Sequence, residues 1–378
     1  ERREAIQTLK AISRLNSKYS KEYETAIRQV ESDLREENIC LVNDCQLDED
    51  QPAFVRRFYY KQLDGYIAPV WFSALKDLNN EPDDCIYLAV KMRKQTDKTH
   101  PEYALLQLPV NLVGRFVQLP SRGNQHFIMY IDDVVRCTLP LIFAGLNYTI
   151  FEAYAFKFTK DAEMEIDNDL RNGLLQKISK GVKSRKCGQA MRVIYDAHMP
   201  KDVLKRVLGK LNIDKLDTVL ASGRYQNHRD LMKFPDCGRT DLKYPQWTPI
   251  LKPELTGEGS ILEAIRKKDR FIHVPYHDFA SYIRLLQEAA IHKEVKSIKT
   301  TLYRLAHDSK VVKALINAAK NGKEVTVVIE LLARFDEASN ISWSKKMQEV
   351  GIHVIFGVEG LKVHSKLTYI GMRKGTDI

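Results

Sequence analysis

Four side chains in the last third of this 378-residue chain are of types suited to moving a phosphoryl group: Arg304, Arg334, His364 and Lys366. A neutral imidazole nitrogen carries a lone pair that can attack phosphorus and form a phosphohistidine. Lysine and arginine beside it would stabilise the charge spread over the transferring oxygens. Arginine adds a planar fork that takes two oxygens at once, which suits phosphate. His364 and Lys366 lie two positions apart in LKVHSKLTYI, residues 361–370. Read as a strand, that stretch turns Lys362, His364, Lys366 and Thr368 to one side. Leu361, Val363, Leu367 and Tyr369 then face a core on the other, leaving a histidine between two lysines on the open face.

Each residue alone has a plainer reading. A single histidine on a strand is most often a satisfied structural side chain. An arginine that closes a strand is most often part of a surface ion pair, and Asp336 and Glu337 stand beside Arg334. Matching positions at strand ends within one α/β unit are what favour chemistry.

The elements that must position these residues follow a boundary near residue 255. Strand patterns at 270–276 (RFIHVPY), 295–304 (VKSIKTTLYR), 324–334 (EVTVVIELLAR) and 353–357 (HVIFG) alternate with helical ones at 278–291, 309–322 and 337–351. Turn signals at Asn321-Gly322 and Gly351 end two of those helices. Such alternation means a parallel sheet. Active sites of open α/β sheets lie beyond the carboxyl ends of the strands, where Arg304 and Arg334 fall. The link from HVIFG to LKVHSKLTYI is too short for a parallel crossover, so those two strands are expected as antiparallel neighbours.

Upstream, Ile12, Leu15, Tyr19, Tyr23, Ile27, Val30 and Leu34 form one helical stripe, which predicts partner helices that cover it, placed before residue 1. From about residue 48, strand-like runs (CIYLAVKM, YALLQLPV, HFIMYI, YAFKFT, MRVIYDA) mix with helical ones over 161–180 and 201–210. Residues 224–253 read as loop. The length predicts two or three domains.

The net charge of +10 fits a polyanionic partner and fits plain solubility equally well. Cysteines 40, 45, 85, 137, 187 and 237 form no metal-binding spacing and read as reduced thiols of a cytosolic protein. The chain opens without an apolar signal region, and its most apolar stretch, 139–156, is broken by Pro140, Asn147 and Glu152. Its start without methionine and its end near a strand read as a fragment. There is no P-loop. His228-Arg229-Asp230-Leu231 imitates a kinase catalytic loop, but Pro235 stands where the metal-binding asparagine belongs. TGEGS (256–260) lacks the third glycine of a dinucleotide fingerprint.

The stretch 271–369 resembles polyphosphate kinase, the large class that works through a phosphorylated histidine. The matching motifs are PYHDF (275–279), IKTTLYR (298–304), NGKEVTVVIELLARFDE (321–337), NISW (340–343) and GLKVHSKL (360–367). FIMYIDDVVR (127–136), FKFTKDAEMEID (156–167) and GRYQNHRDLMKFP (223–235) resemble that family's head domain. The resemblance implies an α+β multidomain chain: a partial N-terminal helical domain at 1–47, an α/β head domain at 48–255, and an incomplete phospholipase-D-like α/β domain at 256–378. It implies reversible transfer of the ATP terminal phosphate to polyphosphate, with His364 as phosphohistidine nucleophile and Lys366 beside it. Arg304 and Arg334 match arginines associated with a Mg²⁺ site, through phosphate oxygens because a guanidinium has no lone pair. Further ATP contacts are expected outside 1–378. The implied partners are ATP, ADP and inorganic polyphosphate, with no nucleic acid. A cytoplasmic homo-oligomer with peripheral contact at the inner face of the membrane is also expected.

Two other readings stay open. One is a phospholipase-D-like phosphodiesterase, against which Gly371 stands where H-x-K-x-x-x-x-D requires Asp. The other is a non-catalytic polyanion-binding fragment.

Overall fold

The computed structural model describes residues 2–161, 188–213, 218–257, 259–331, 333, 336–357 and 361–373. They fall into two compact units, one holding the described residues up to Lys243 and the other those from Tyr244. Except for Asp161, the helix expected over 161–180 lies outside the described residues.

In the first unit, helix α1 (Arg2–Glu36) leads into β1 (Ile39–Val42), α2 (Gln51–Phe58), β2 (Val70–Trp71), β3 (Tyr87–Lys94) and β4 (Asp97–Gln107). After them come α3 (Val110–Val113), β5 (Phe116–Arg122), β6 (Gln125–Tyr130), α4 (Ile131–Ile142), β7 (Ile150–Lys160), β8 (Ala190–Asp196), α5 (Lys201–Leu211) and β9 (Thr218–Ser222). One sheet has the order β2-β4-β3-β7-β8-β9, a second β1-β6-β5.

The run IYLAVKM explains the centre of the larger sheet. Leu88, Val90 and Met92 pack on one face with Val134, Val135 and Leu139 of α4, while Tyr87 and Ala89 pack on the other with Phe156, Phe158 and Val203. A strand buried on both faces reads as a continuous apolar run. The stripe of α1 stays largely exposed, with Ile12, Leu15, Tyr19 and Val30 all more than half accessible. Two side chains of α1 make specific contacts: Glu24 accepts from the Ser222 hydroxyl and the Gly223 amide, and Tyr23 of the stripe meets the His228 ring.

Below that contact lies a buried charge network. Asp132 and Asp133, in the first turn of α4, are fully buried. Asp132 pairs with Arg115 at 3.1 Å, and Asp133 takes Arg136 at 2.6 Å, Arg224 at 2.7 Å and the Tyr225 hydroxyl at 2.6 Å. Burial pushes the Asp132 carboxyl up, and Arg115 and Arg136 oppose the shift. The kinase-like His228-Arg229-Asp230-Leu231 lies in a 3-10 turn at the rim of this network. His228 meets the Tyr23 ring at 4.8 Å, and burial and the Arg115 charge hold its pKa below the ordinary imidazole value.

The second unit runs α6 (Ile261–Lys267), α7 (Ala280–Ile291), β10 (Val295–Leu302), α8 (Lys310–Lys320), β11 (Glu324–Ile329), α9 (Glu337–Glu349), β12 (His353–Ile355) and β13 (Thr368–Met372). Strands β10, β11 and β12 are parallel, as the alternation predicts. Gly322 and Gly351, at φ of 75° and 83°, turn the chain out of α8 and α9 in a conformation that glycine alone adopts freely. Ile298 and Leu302 of β10 join Val325, Val327 and Ile329 of β11 in one core with Leu286, Leu315 and Met347.

Three expectations are corrected here. Residues 270–276 are not a strand: Pro275 has no amide to give a ladder, and His277 turns back to bond His273. Phe271 and Tyr276 are left exposed. The last two strands are not neighbours. In the order β12-β11-β10-β13, β13 pairs antiparallel with β10 at the opposite edge from β12. Residues 361–370 are not one strand either, because only Thr368–Met372 is extended in the sheet. Its inward set is also reversed: Ile370 and Met372 pack on the core, whereas Leu361, Leu367 and Tyr369 are 70%, 67% and 53% exposed.

Candidate active site

Segment 361–367 leaves strand geometry because side chains from elsewhere take up its backbone groups. The Thr301 hydroxyl donates to Ser365 O at 2.6 Å and accepts from Leu367 N at 2.9 Å. Leu367 O accepts from the Thr301 amide and the Thr300 hydroxyl. On the other side, the buried Glu330 accepts from Val363 N at 3.1 Å. With its backbone satisfied this way, the segment has no need of a strand partner.

The turn after β10 is held just as firmly by α9. Asn340 is fully buried, and its amide donates to Tyr303 O and Glu330 O, each at 2.8 Å. It thereby ties the ends of two adjacent parallel strands together. Trp343 Nε1 donates to Ala306 O at 3.1 Å, and Ser339 donates to Leu305 O. The NISW motif therefore acts as a strap over the turn that carries Arg304.

These two anchored segments converge on one ring. The His364 imidazole meets the Tyr303 ring at 5.3 Å between centroids, nearly perpendicular at 76°. Lys366 Nζ lies 4.8 Å from the centre of the same ring, and the Arg304 guanidinium carbon 5.7 Å from it. Lys366 also donates to the carbonyl of His364. Arg304 Nε pairs with Asp336 at 3.1 Å, both side chains accessible, as the ion-pair reading of these arginines anticipates. Arg334 lies outside the described residues.

Beside the ring opens a cleft of about 1510 Å³, lined among others by Phe279, Tyr282, Tyr303, Arg304, Lys310 and Lys366. It lies at the carboxyl end of β10. A nucleophile of imidazole type, an ammonium and a guanidinium thus stand together at the end of a parallel strand, in geometry suited to a dense anion. Tyr303, Asn340, Glu330 and Thr301 were not read from the sequence as site residues. The signal that marks them is their place inside the motifs TTLYR, NISW and VVIELLAR, next to the cations.

The Mg²⁺ that the resemblance implies is expected through phosphate oxygens, not on Arg304 itself. Arg304 has no lone pair for a metal, and among the described residues no group of three or more His, Cys, Asp or Glu side chains is arranged to hold one. Gly371 is equally informative. It pairs with Ser297 of β10, and a Cβ on it would fall 2.5 Å from the Ser297 hydroxyl and 3.3 Å from the Tyr369 ring. An aspartate there would have to displace both.

Residues 50–234 match the family described as polyphosphate kinase middle domain, and residues 260–378 match polyphosphate kinase C-terminal domain 1. The chain belongs to the polyphosphate kinase family. It is 37% identical over 369 residues to a polyphosphate kinase of Vibrio parahaemolyticus, which covers 97% of this chain and 52% of that relative. To the polyphosphate kinase of Escherichia coli it is 33% identical over 369 residues, 96% of this chain and 53% of the relative. The crystal structure of polyphosphate kinase from Porphyromonas gingivalis matches with a TM-score of 0.75 at 29% identity, over 98% of this chain and 53% of that one. The chain thus spans about half the length of the curated polyphosphate kinases it matches. Its mixed α/β architecture, with helices and several sheets, is one that a polyphosphate kinase structure shares. No helix among the described residues is long and apolar enough to cross a membrane.

Proposed function

We propose that this chain carries the phosphohistidine part of an ATP:polyphosphate phosphotransferase, with His364 as the nucleophile. The supporting observation is the convergence of His364, Lys366 and Arg304 on Tyr303 at the end of β10. A ring nitrogen of His364 attacks the γ-phosphorus of ATP with its lone pair. As the N–P bond forms, the bond from phosphorus to the bridging oxygen breaks, and that oxygen leaves with the electron pair as part of ADP. A terminal oxygen of polyphosphate then attacks the same phosphorus. The N–P electrons return to the imidazole, and the chain is one phosphate longer. Both steps run in reverse as well.

Lys366, Arg304 and Arg334 hold the phosphoryl oxygens as charge redistributes. In this reading Mg²⁺ comes with the phosphate oxygens that the arginines grip. The same reading takes residues 1–47 as part of a helical domain, 48–255 as the head domain and 256–378 as a phospholipase-D-like domain. Gly371 in place of the Asp of H-x-K-x-x-x-x-D weighs against a phosphodiesterase of the phospholipase D type.

The test uses the full-length protein and ATP labelled at the γ position. Acid-labile, base-stable label mapped to His364 and discharged by polyphosphate is the expected result. Label that persists in His364→Ala would exclude the assignment.

A further inference from the structure

We infer that Tyr303 is a positioning residue for His364, selecting which imidazole nitrogen meets phosphorus. The inference rests on the reading of His364 as nucleophile. An imidazole has two nitrogens, and a half-turn of the ring about its bond to Cβ exchanges a nitrogen for a carbon at each place. An exposed histidine with nothing against its ring samples both settings. Here the segment that carries His364 is pinned at Val363, Ser365 and Leu367, but those bonds hold only its backbone. Among the described residues the His364 ring meets one other aromatic ring, that of Tyr303, at 5.3 Å and 76°.

The backbone beneath the Tyr303 ring is fixed. Its carbonyl is held by the fully buried Asn340. Two cations, Lys366 at 4.8 Å and Arg304 at 5.7 Å, sit within cation–π reach of it. All three contacts are made to the ring, so an aromatic side chain is what the position requires. Tyr303 is only half-buried, so its replacement leaves the core of the second unit in place.

The experiment compares Tyr303→Phe and Tyr303→Leu in the full-length protein, with γ-labelled ATP. Phosphoenzyme formation at saturating ATP should fall about tenfold in Tyr303→Leu, or about 1.4 kcal/mol of barrier. Its KM for ATP should stay within about threefold. The phosphohistidine of the wild type should be a single ring isomer, resolved by ³¹P NMR, and Tyr303→Leu should give both isomers. Tyr303→Phe should restore most of the rate and the single isomer. Tyr303→Met replaces Tyr303→Leu if the latter does not fold. A non-aromatic variant that keeps the rate or the single isomer would overturn the inference, as would a Tyr303→Phe protein as slow as Tyr303→Leu. Loss of label in His364→Ala, measured alongside, leaves the nucleophile assignment standing in either of those cases. Label retained there removes the assignment first, whatever the Tyr303 variants do.

Discussion

In the first unit, Arg115, Arg136 and Arg224 turn inward to Asp132, Asp133 and Asp44; in the second, Arg304, Lys366 and His364 lean on one tyrosine at the surface. Most members of both groups come from motif-rich stretches of the sequence, DDVVR and GRYQNHRD in the first, TTLYR and KVHSK in the second, with Arg115 and Asp44 outside them. The side chains of Asp133 and Arg136 are 0% and 4% exposed. Those of Arg304 and Asp336 are 58% and 37% exposed. A buried arginine must be matched by carboxylates in place, because an unpaired charge there is too costly. An accessible cation resting on an aromatic face can take an incoming anion instead. The same residue types therefore pair inside the first unit and stay accessible in the second.

Five substitutions test that contrast. His364→Ala should abolish phosphoenzyme formation entirely, measured as label from γ-labelled ATP, while thermal unfolding stays near wild type. Asp133→Ala should do the reverse. Removing it leaves buried Arg136 without its carboxylate, the Tyr225 hydroxyl without its acceptor and Arg224 with Asp44 alone, and a loss of about 3–5 kcal/mol in denaturant unfolding is expected. An unfolding midpoint within error of wild type would show that the network braces nothing. Arg304→Lys and Arg334→Lys keep the charge and lose the fork, so turnover should fall about 10²-fold with unfolding unchanged. Near-normal turnover in both would return them to the ion-pair reading. The smallest effect is expected from Asp336→Asn, which removes the accessible partner of Arg304: a stability change of less than about 1 kcal/mol by urea titration. A larger loss would mean that the second unit is braced by charge after all.

Much of the second unit was legible in the sequence because its signals are local. The periodicity of SKVVKALINAAKNG marks Lys310–Lys320, and the β-branched run of EVTVVI marks Glu324–Ile329. The path from β12 to β13 was not legible, because it is set by side chains far away in sequence. Thr301 and Glu330 satisfy the backbone of 363–367, and nothing within LKVHSKLTYI reveals that. The alternation that suggested a core face in this stretch is broken where those bonds begin. Among the candidate residues, His364, Lys366 and Arg304 do come together, but by way of Tyr303, an aromatic in a run read as plain strand. RFIHVPY misled for a different reason: its apolar content is that of a strand, and Pro275 decides against one.

The strand order β12-β11-β10-β13 also has a consequence for how the protein is made. Translation delivers β10 first and its antiparallel partner last, and Thr301 must wait for Ser365, 64 positions later. Until residues 363–367 have left the ribosome, the bonds from Thr301 and Glu330 that hold the His364 segment cannot form. Hydrogen exchange at the Thr301 amide should register the change, fast in chains stalled before Leu367 and slow in the released protein. Among the described strands of this sheet β13 is the latest in sequence, and it follows directly on the segment that carries His364.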